Sequence, residues 1–470
     1  MQLLQWMIVI GVLVMSTGAA LHALLYKREP AAAFAWIAGC LIFPVLGPIL
    51  YFFIGINRIR VRAQRLRSHT SPSPAPPHPP GVPTDIPAAF STQAQISSAV
   101  TGLPMTHANA IYKLIGGEAA YPAMQEAIRQ AKERIYLSTY IFESNQTGKD
   151  FVEELANASA RGVDVRVLLD GAGEWYSWPP IRWLMRRRKV PYARFLRPRL
   201  LPPSPLINLR NHRKLLLIDG KTAFTGGMNI GDRHLIHRLP PKTGIRDVHF
   251  RIDGALTEQL EQVFLDDWEF TTGQRNEPPP ATLPEPQGKA LCRAIIDGPD
   301  EDLHRLTMVL VGAVAAARER VAIMTPYFLP PRELVAALQA AAVRGTQVDI
   351  ILPGKNNLPF MHWATRNMLW ELVKWGVRVY YQDGLFDHSK LFVVDRHYTQ
   401  VGSANLDPRS LRLNFEVVVE VYDAQFGETM AAHIEQARQS AHRITLEELD
   451  DRPLLPRIRD ATAWLFTPYL

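Results

Sequence analysis

Cysteine is nearly missing from these 470 residues, which contain only Cys40 and Cys292. The first lies in a hydrophobic segment, which argues against a structural disulfide and allows a reducing compartment. Metal-ligand spacing is lacking too: the histidines are scattered, and His234-x-x-His237 alone does not make a zinc site. There is no acidic excess. The formal charge is +7 and the pI about 9.3, a balance that favours an anionic partner such as a membrane surface, a phospholipid or a nucleic acid. The length leaves room for more than one core.

Formal charge is also absent from Leu3 to Tyr26, which is apolar apart from a few small polar residues and His22. As a helix rising ~1.5 Å per residue this run reaches ~36 Å, enough to cross a hydrocarbon layer of ~30 Å. Lys27-Arg28-Glu29-Pro30 forms a tight polar turn. A second apolar run, Ala31 to Ile56, is interrupted by Pro44, Gly47 and Pro48; it reads as a kinked helix or a re-entrant segment, and its length leads us to expect a second full crossing. A cleaved signal peptide does not fit, because no small-residue cleavage site follows a short apolar core. Arg58, Arg60, Arg62, Arg65 and Arg67 outweigh Lys27 and Arg28, which predicts both termini on the cytoplasmic side. The same arginines suit anionic headgroups. Ser68 to Pro87 is proline-rich and reads as an extended linker.

Beyond the linker one pattern occurs twice, H-x-K-x4-D followed, after six intervening residues, by a glycine-led G-x-x-N. The first copy is His212, Lys214, Asp219 and Gly226-Gly227-Met228-Asn229. The second is His388, Lys390, Asp395 and Gly402-Ser403-Ala404-Asn405. Residues i and i+2 of a strand share a face, so each histidine and lysine is expected to project together from the head of an apolar strand. One such H-x-K is usually a strand edge with a solvated lysine; two copies with every spacing preserved are not coincidence. The surroundings repeat as well. Ala131-Lys132-Glu133-Arg134-Ile135 matches Ala317-Arg318-Glu319-Arg320-Val321, and Arg161-Gly162-Val163 matches Arg344-Gly345-Thr346. Each half reads helix, strand, helix, strand, motif strand and a further strand, an α/β pattern. The join lies near Glu277-Pro278-Pro279-Pro280.

The paired motif resembles the HKD signature of the phospholipase D superfamily, and the flanks resemble those of bacterial cardiolipin synthases. The flanking similarity is carried by Arg210-Asn211-His212-Arg213-Lys214, Gly226 to Asp232, Thr325-Pro326-Tyr327-Phe328, and Val401 to Ser410 continuing to Asn414-Phe415-Glu416. Two departures stand out: Asp387 where the family usually has an apolar residue, and His234 in place of a typical tyrosine. The resemblance implies two tandem phospholipase D-like α/β/α domains related by a pseudo-twofold axis, behind an N-terminal two-helix membrane hairpin. The expected boundaries are 1–67 for the hairpin and basic segment, 68–90 for the linker, 91–274 and 288–450 for the two domains, and 451–470 for a tail.

The chemistry follows from the residue types. Phosphodiester oxygens repel nucleophiles, and Lys214, Lys390, Asn229 and Asn405 would neutralise and grip them without a metal or cofactor. One histidine would attack phosphorus as neutral imidazole; the other, protonated, would donate to the leaving alkoxide and then accept from the incoming alcohol. Resemblance to superfamily members makes His212 the nucleophile and His388 the acid. It also assigns Asp247 and Glu416 to hold the second ring nitrogens. Asp219 and Asp395 belong to the motif but read as framework for the site, while Ser403 would add a hydroxyl donor for the phosphate where Gly227 offers only backbone.

The activity implied by the resemblance is transfer between two phosphatidylglycerol molecules, giving cardiolipin and glycerol. The expected partners are phosphatidylglycerol, other anionic phospholipids and the membrane, and not nucleic acid. The expected location is the bacterial inner membrane, multi-pass, with the catalytic part cytoplasmic. A phospholipase D, a transferase using another alcohol, and a silent membrane-surface protein are the alternatives. Finally, the basic run containing Arg182, Arg186, Arg187, Arg188 and Lys189 lies beside Trp175, Trp178 and Trp183, which reads either as a solvated face or as a surface for anionic lipid.

Overall fold

A computed structural model describes residues 2–27, 30–55, 81, 83–197, 209–240, 243–274, 287–299 and 304–467. The chain divides into two units, Met1–Leu66 and Arg67–Leu470. The arginine cluster after Ile56, most of the proline-rich linker and the join at Glu277 lie outside the described residues.

In the small unit, Gln2–Tyr26 is one continuous helix, and among the described residues only this helix is long and apolar enough to cross a membrane. The second apolar run differs from expectation. It forms a helix at Pro30–Ile42, a turn, a short helix at Leu46–Leu50 and a wide final turn at Tyr51–Gly55. Pro44 cannot donate into a continuing helix, and at ~1.5 Å per residue the first piece spans only ~20 Å. Gly47 allows the chain to fold back, since a Cβ there would collide with the Gly39 carbonyl. Polar contacts tie the pieces together: Ser16 Oγ donates to the Cys40 carbonyl at 2.5 Å, and His22 Nδ1 meets the Tyr51 hydroxyl at 2.8 Å. In a membrane, side-chain hydrogen bonds of this kind add to helix packing.

The large unit carries the repeat. Its first half supplies β1 (Thr106–Ile115), β2 (Arg134–Thr139), β3 (Asp164–Asp170), β4 (Tyr192–Phe195), β5 (Arg210–Asn211), β6 (Leu215–Ile218), β7 (Thr222–Gly226), β8 (Ile245–Arg246) and β9 (Val248–Asp253). The second supplies β10 (Ala290–Asp297), β11 (Arg320–Met324), β12 (Gln347–Pro353), β13 (Arg378–Gln382), β14 (Phe386–Asp387), β15 (Leu391–Val394), β16 (Tyr398–Gly402), β17 (Asn414–Tyr422) and β18 (Ala441–Arg443). Among the described residues the main order is β18-β13-β12-β11-β15-β16-β17-β10-β1-β9-β7-β6-β2-β3-β4. The central pair, β10 and β1, is antiparallel, and away from it the order of one half repeats that of the other. The two halves therefore share one sheet, a continuity that the proline-rich join conceals in the sequence.

Runs such as Leu215-Leu216-Leu217-Ile218 and Leu391-Phe392-Val393-Val394 are buried throughout, as expected for strands covered on both faces. In the first half the helices Gly116–Gln130 and Gln146–Ala160 cover one face, and Leu256–Thr272 covers the other, with Phe264 stacked on Tyr136 at 5.0 Å. The helix Ser91–Thr101 precedes the first half in sequence but packs with the second. Gln93 donates to the Val309 carbonyl, and buried Arg293 donates to Glu420 and to the Ala94 carbonyl.

Two short parallel pairings lie across the repeat boundary. Strand β5 runs beside the start of β17, with Arg210 opposite Asn414 and Asn211 opposite Phe415. Strand β14 runs beside β8, with Phe386 opposite Ile245 and Asp387 opposite Arg246. The residue after each pairing is a histidine on one side and a carboxylate on the other.

Candidate active site

The pairings continue as expected for their register. The His212 N–H donates to the Phe415 carbonyl at 2.9 Å, and the His388 N–H to the Arg246 carbonyl at 2.7 Å. Each imidazole thus arrives beside a carboxylate of the opposite half. His212 Nδ1 lies 2.9 Å from Glu416 Oε1, and His388 Nδ1 lies 2.9 Å from Asp247 Oδ2. A carboxylate on Nδ1 holds the proton there, leaving Nε2 as the reactive nitrogen.

His212 to Lys214 and His388 to Lys390 are not inside strands, as the spacing had suggested. They form extended links between β5 and β6 and between β14 and β15. The lysines nonetheless take matching positions: Lys214 Nζ donates to the His212 carbonyl and Lys390 Nζ to the His388 carbonyl, both at 2.6 Å. They differ in what they face. Lys214 Nζ lies over the Tyr140 ring, 5.5 Å from its centroid, whereas Lys390 Nζ lies beside the His388 ring, 3.0 Å from Nδ1 and 3.2 Å from Nε2.

Burial sets the electrostatics. Loss of water brings Lys214 down to about 7 and Lys390 to about 8, and in each case nearby carboxylates partly oppose the fall. Both histidines are lowered by burial. Glu416 opposes this at His212, while Lys390 deepens it at His388, which falls well below the ordinary imidazole range. The carboxylates diverge. Burial raises Asp247, but for Glu416 the charges and hydrogen bonds of its partners, His212 foremost, outweigh burial and hold it low.

The remaining residues singled out from the sequence fall into two groups. Asp219 and Asp395 stand at the far ends of β6 and β15 from the lysines. Asp219 accepts the backbone N–H groups of Lys132, Glu133 and Arg134, and Asp395 those of Arg318, Glu319 and Arg320. They anchor the heads of β2 and β11 and are not among the groups converging on the histidines. Ser403 Oγ donates to Glu416 Oε2 at 2.5 Å, and Asn414 Nδ2 donates to Oε1 at 3.1 Å. Gly227, the counterpart of Ser403, has no side chain because Asp247 fills the space: a Cβ there would sit 2.5 Å and 2.6 Å from the two carboxylate oxygens. Asn229 Oδ1 accepts the Ile141 N–H at 3.1 Å, and Asn405 Nδ2 donates to Ser410 Oγ at 3.1 Å.

The two departures also lie close by. Asp387 is buried and raised by burial; it accepts the Ser389 N–H at 3.0 Å and adds to the negative field that supports Lys390. His234 is buried and held neutral, near 3, by loss of water.

Several contributors were missed. Tyr140 meets His212 edge-on at 5.2 Å, and Tyr327 meets His388 at 6.1 Å. Their segments, Thr139-Tyr140-Ile141-Phe142 and Thr325-Pro326-Tyr327-Phe328, end matching strands, which was a usable signal. Asp170 accepts the Asn211 N–H at 2.8 Å, fixing the approach to His212, and the buried Arg213–Asp267 pair at 2.5 Å fixes its exit. No short motif marks these two.

The geometry can be set against known proteins. Residues 124–268 and 310–438 match the family model described as cardiolipin synthase, phospholipase D-like domain, and residues 14–55 match a phospholipase D-nuclease N-terminal model. A major cardiolipin synthase of Bacillus subtilis (strain 168) is 30% identical over 461 residues, covering 94% of this chain and 95% of its own length. Cardiolipin synthase A of Pseudomonas fluorescens (strain SBW25) is 31% identical over 467 residues, covering 97% and 96%. Among solved structures, a phosphatidylserine synthase of Haemophilus influenzae Rd KW20 superposes with a TM-score of 0.59 at 19% identity, over 80% of this chain and 100% of that one. That similarity concerns the fold.

Proposed function

Since the chain belongs to the phospholipase D-like cardiolipin synthases, and so is a phosphatidyltransferase, we propose that it joins two phosphatidylglycerol molecules into cardiolipin, releasing glycerol through a phosphohistidine intermediate. The observation that carries this reading is the crossed pair of histidine–carboxylate contacts, His212 with Glu416 and His388 with Asp247. It supplies two oriented imidazoles, flanked by two ammonium groups suited to the phosphodiester oxygens.

In the first step Nε2 of one histidine bonds to phosphorus while the bond from phosphorus to the glycerol oxygen breaks. The other histidine gives that oxygen its proton, and glycerol leaves. In the second step the now neutral histidine takes the proton from a hydroxyl of the second phosphatidylglycerol. The oxygen bonds to phosphorus, the P–N bond breaks, and both histidines return to their starting states. Ser403 acts in this scheme through Glu416 and not on phosphate.

Family resemblance favours His212 as nucleophile. One observation favours the reverse: His388 lies further below the ordinary imidazole range than His212, with Lys390 beside its ring, which suits the histidine that must attack uncharged.

The test is incubation of the purified protein in detergent with phosphatidylglycerol alone, followed by mass spectrometry of the lipids and assay of glycerol. Equal amounts of cardiolipin and glycerol are expected. Phosphatidic acid as sole product makes the protein a hydrolase, and an absence of turnover makes it a surface-binding protein.

A further inference from the structure

Two exposed apolar patches flank the histidines, one from each half. In the first half Tyr176 and Trp178 follow β3 and Trp183 sits on the helix Ile181–Arg187; they are 57%, 81% and 53% exposed. The Trp178 and Trp183 rings meet edge-to-face at 5.5 Å, so they are ordered on each other and not against the core. Tyr176 leads inward, its ring 5.9 Å from Tyr140, which contacts His212.

In the second half Phe466 packs on Phe360 at 6.1 Å beside Leu465, and Phe466 and Leu465 are 50% and 68% exposed. Phe360 opens the helix Pro359–Val373 just after Asn357, which accepts the Tyr327 hydroxyl at 2.7 Å; the Tyr327 ring contacts His388. Each patch is therefore a short chain of contacts from one histidine.

Contiguous exposed apolar surface marks an interaction site, and tryptophan suits the boundary between membrane and water. Charge selects the occupant. Arg186 and Arg187 are exposed one turn after Trp183, hence on its side of the helix, and Arg457 is exposed beside Ile458 on the helix Leu454–Leu465. Two copies meeting through such a patch around a twofold axis would set like charges against each other; an anionic monolayer would not.

We propose that these patches dock the catalytic unit on the anionic surface of a bilayer, with the histidines opening toward the lipid headgroups between them. This rests on the reading that the substrate is an anionic phospholipid, but its test does not depend on turnover. The full chain, as single copies in nanodiscs containing phosphatidylglycerol, would carry one nitroxide label at Trp178→Cys, Phe466→Cys or Trp375→Cys. The native cysteines are buried, so labelling is selective. Trp375 is 51% exposed beyond the other end of the Pro359–Val373 helix and serves as the aqueous reference.

Power saturation is expected to find the labels at 178 and 466 more accessible to oxygen than to an aqueous nickel chelate, with the order reversed at 375. Replacing phosphatidylglycerol by a zwitterionic lipid should move the first two toward the aqueous pattern. Equal nickel access at all three sites overturns the proposal. So does shielding that appears only in discs holding two copies, which would make the patches a contact between copies. Shielding without cardiolipin formation would leave the docking intact and remove the synthase reading instead.

Discussion

Glu416 receives side-chain hydrogen bonds from Ser403 and Asn414 in addition to its contact with His212, whereas Asp247 has the Val248 N–H and His388. The backbone of the two halves is nearly the same here; the support is not. One half uses a longer carboxylate gripped by a hydroxyl and an amide, and stays firmly ionised. The other uses a shorter carboxylate pressed against a glycine, and burial raises it. The proposed mechanism gives the two histidines opposite proton duties, which need unlike surroundings, and a duplicated framework can supply them by changing one residue behind each carboxylate.

The crossing itself is the part whose disruption should cost most. Glu416→Gln and Asp247→Asn keep the shape and remove the charge that orients an imidazole, so losses on the order of 10³–10⁴ in kcat are expected. The loss should be larger for Glu416→Gln because that carboxylate is the more firmly ionised. Imidazole nitrogen NMR provides the sharper check: Glu416→Gln should move the His212 resonances and leave those of His388 in place. A shift confined to His388 would mean that the contacts do not cross.

Next comes the residue behind each carboxylate. Gly227→Ala would drive a Cβ into both Asp247 oxygens, and an ångström of misplacement at a reacting group costs about 10²-fold. Ser403→Ala forfeits one hydrogen bond to a charged group, about 1.5–3 kcal/mol, and Asn414 remains to hold Glu416, so its loss should be smaller. Turnover of both variants, with melting temperature to confirm folding, decides the order. A neutral Gly227→Ala would show that Asp247 has room to move and that the halves differ less than their side chains suggest.

How much of this was legible in the sequence follows from the same residues. The duplicated H-x-K spacing and the strand runs Leu215 to Ile218 and Leu391 to Val394 pointed to the histidine–lysine pairs and to the α/β repeat, because local pattern determines both. Asp247 and Glu416 could be named, but not matched to a histidine, because the match depends on the pairings of β5 with β17 and β8 with β14. Those pairings join residues about two hundred and one hundred and forty positions apart, and strands two residues long leave no periodicity. Ser403 looked like a phosphate ligand because its hydroxyl is visible in sequence while its direction is not. The second apolar run was read by its length as one span; Pro44 and Gly47 divide it into shorter pieces.

The smallest effect is in pH dependence. Lys214 and Lys390 are lowered to about 7 and about 8, so each loses its charge as pH rises through those values. The value of kcat/KM, which reports the free enzyme, should decline from about pH 7 in two steps. Bound phosphodiester favours the ammonium form, so the decline in kcat should begin higher. Both histidines are lowered as well: for the one that attacks uncharged this puts the acid limb below the ordinary imidazole value, and for the one that must carry a proton it adds a fall on the alkaline side ahead of the two lysine steps. A kcat/KM profile flat to pH 9 would mean that the buried lysines keep their protons and that the two halves do not differ in this respect.

The short pairing of β5 with β17 also has a consequence for the chain during its synthesis. His212 waits for a carboxylate 204 positions further along. At a ribosomal pace of ~5–20 residues per second, the first half, whose last strand ends at Asp253, spends roughly 8–33 seconds complete in its own strands yet without the group that orients its histidine. Under the proposed mechanism a nascent chain is thus unable to cleave phosphodiesters until the last long strand has emerged and paired.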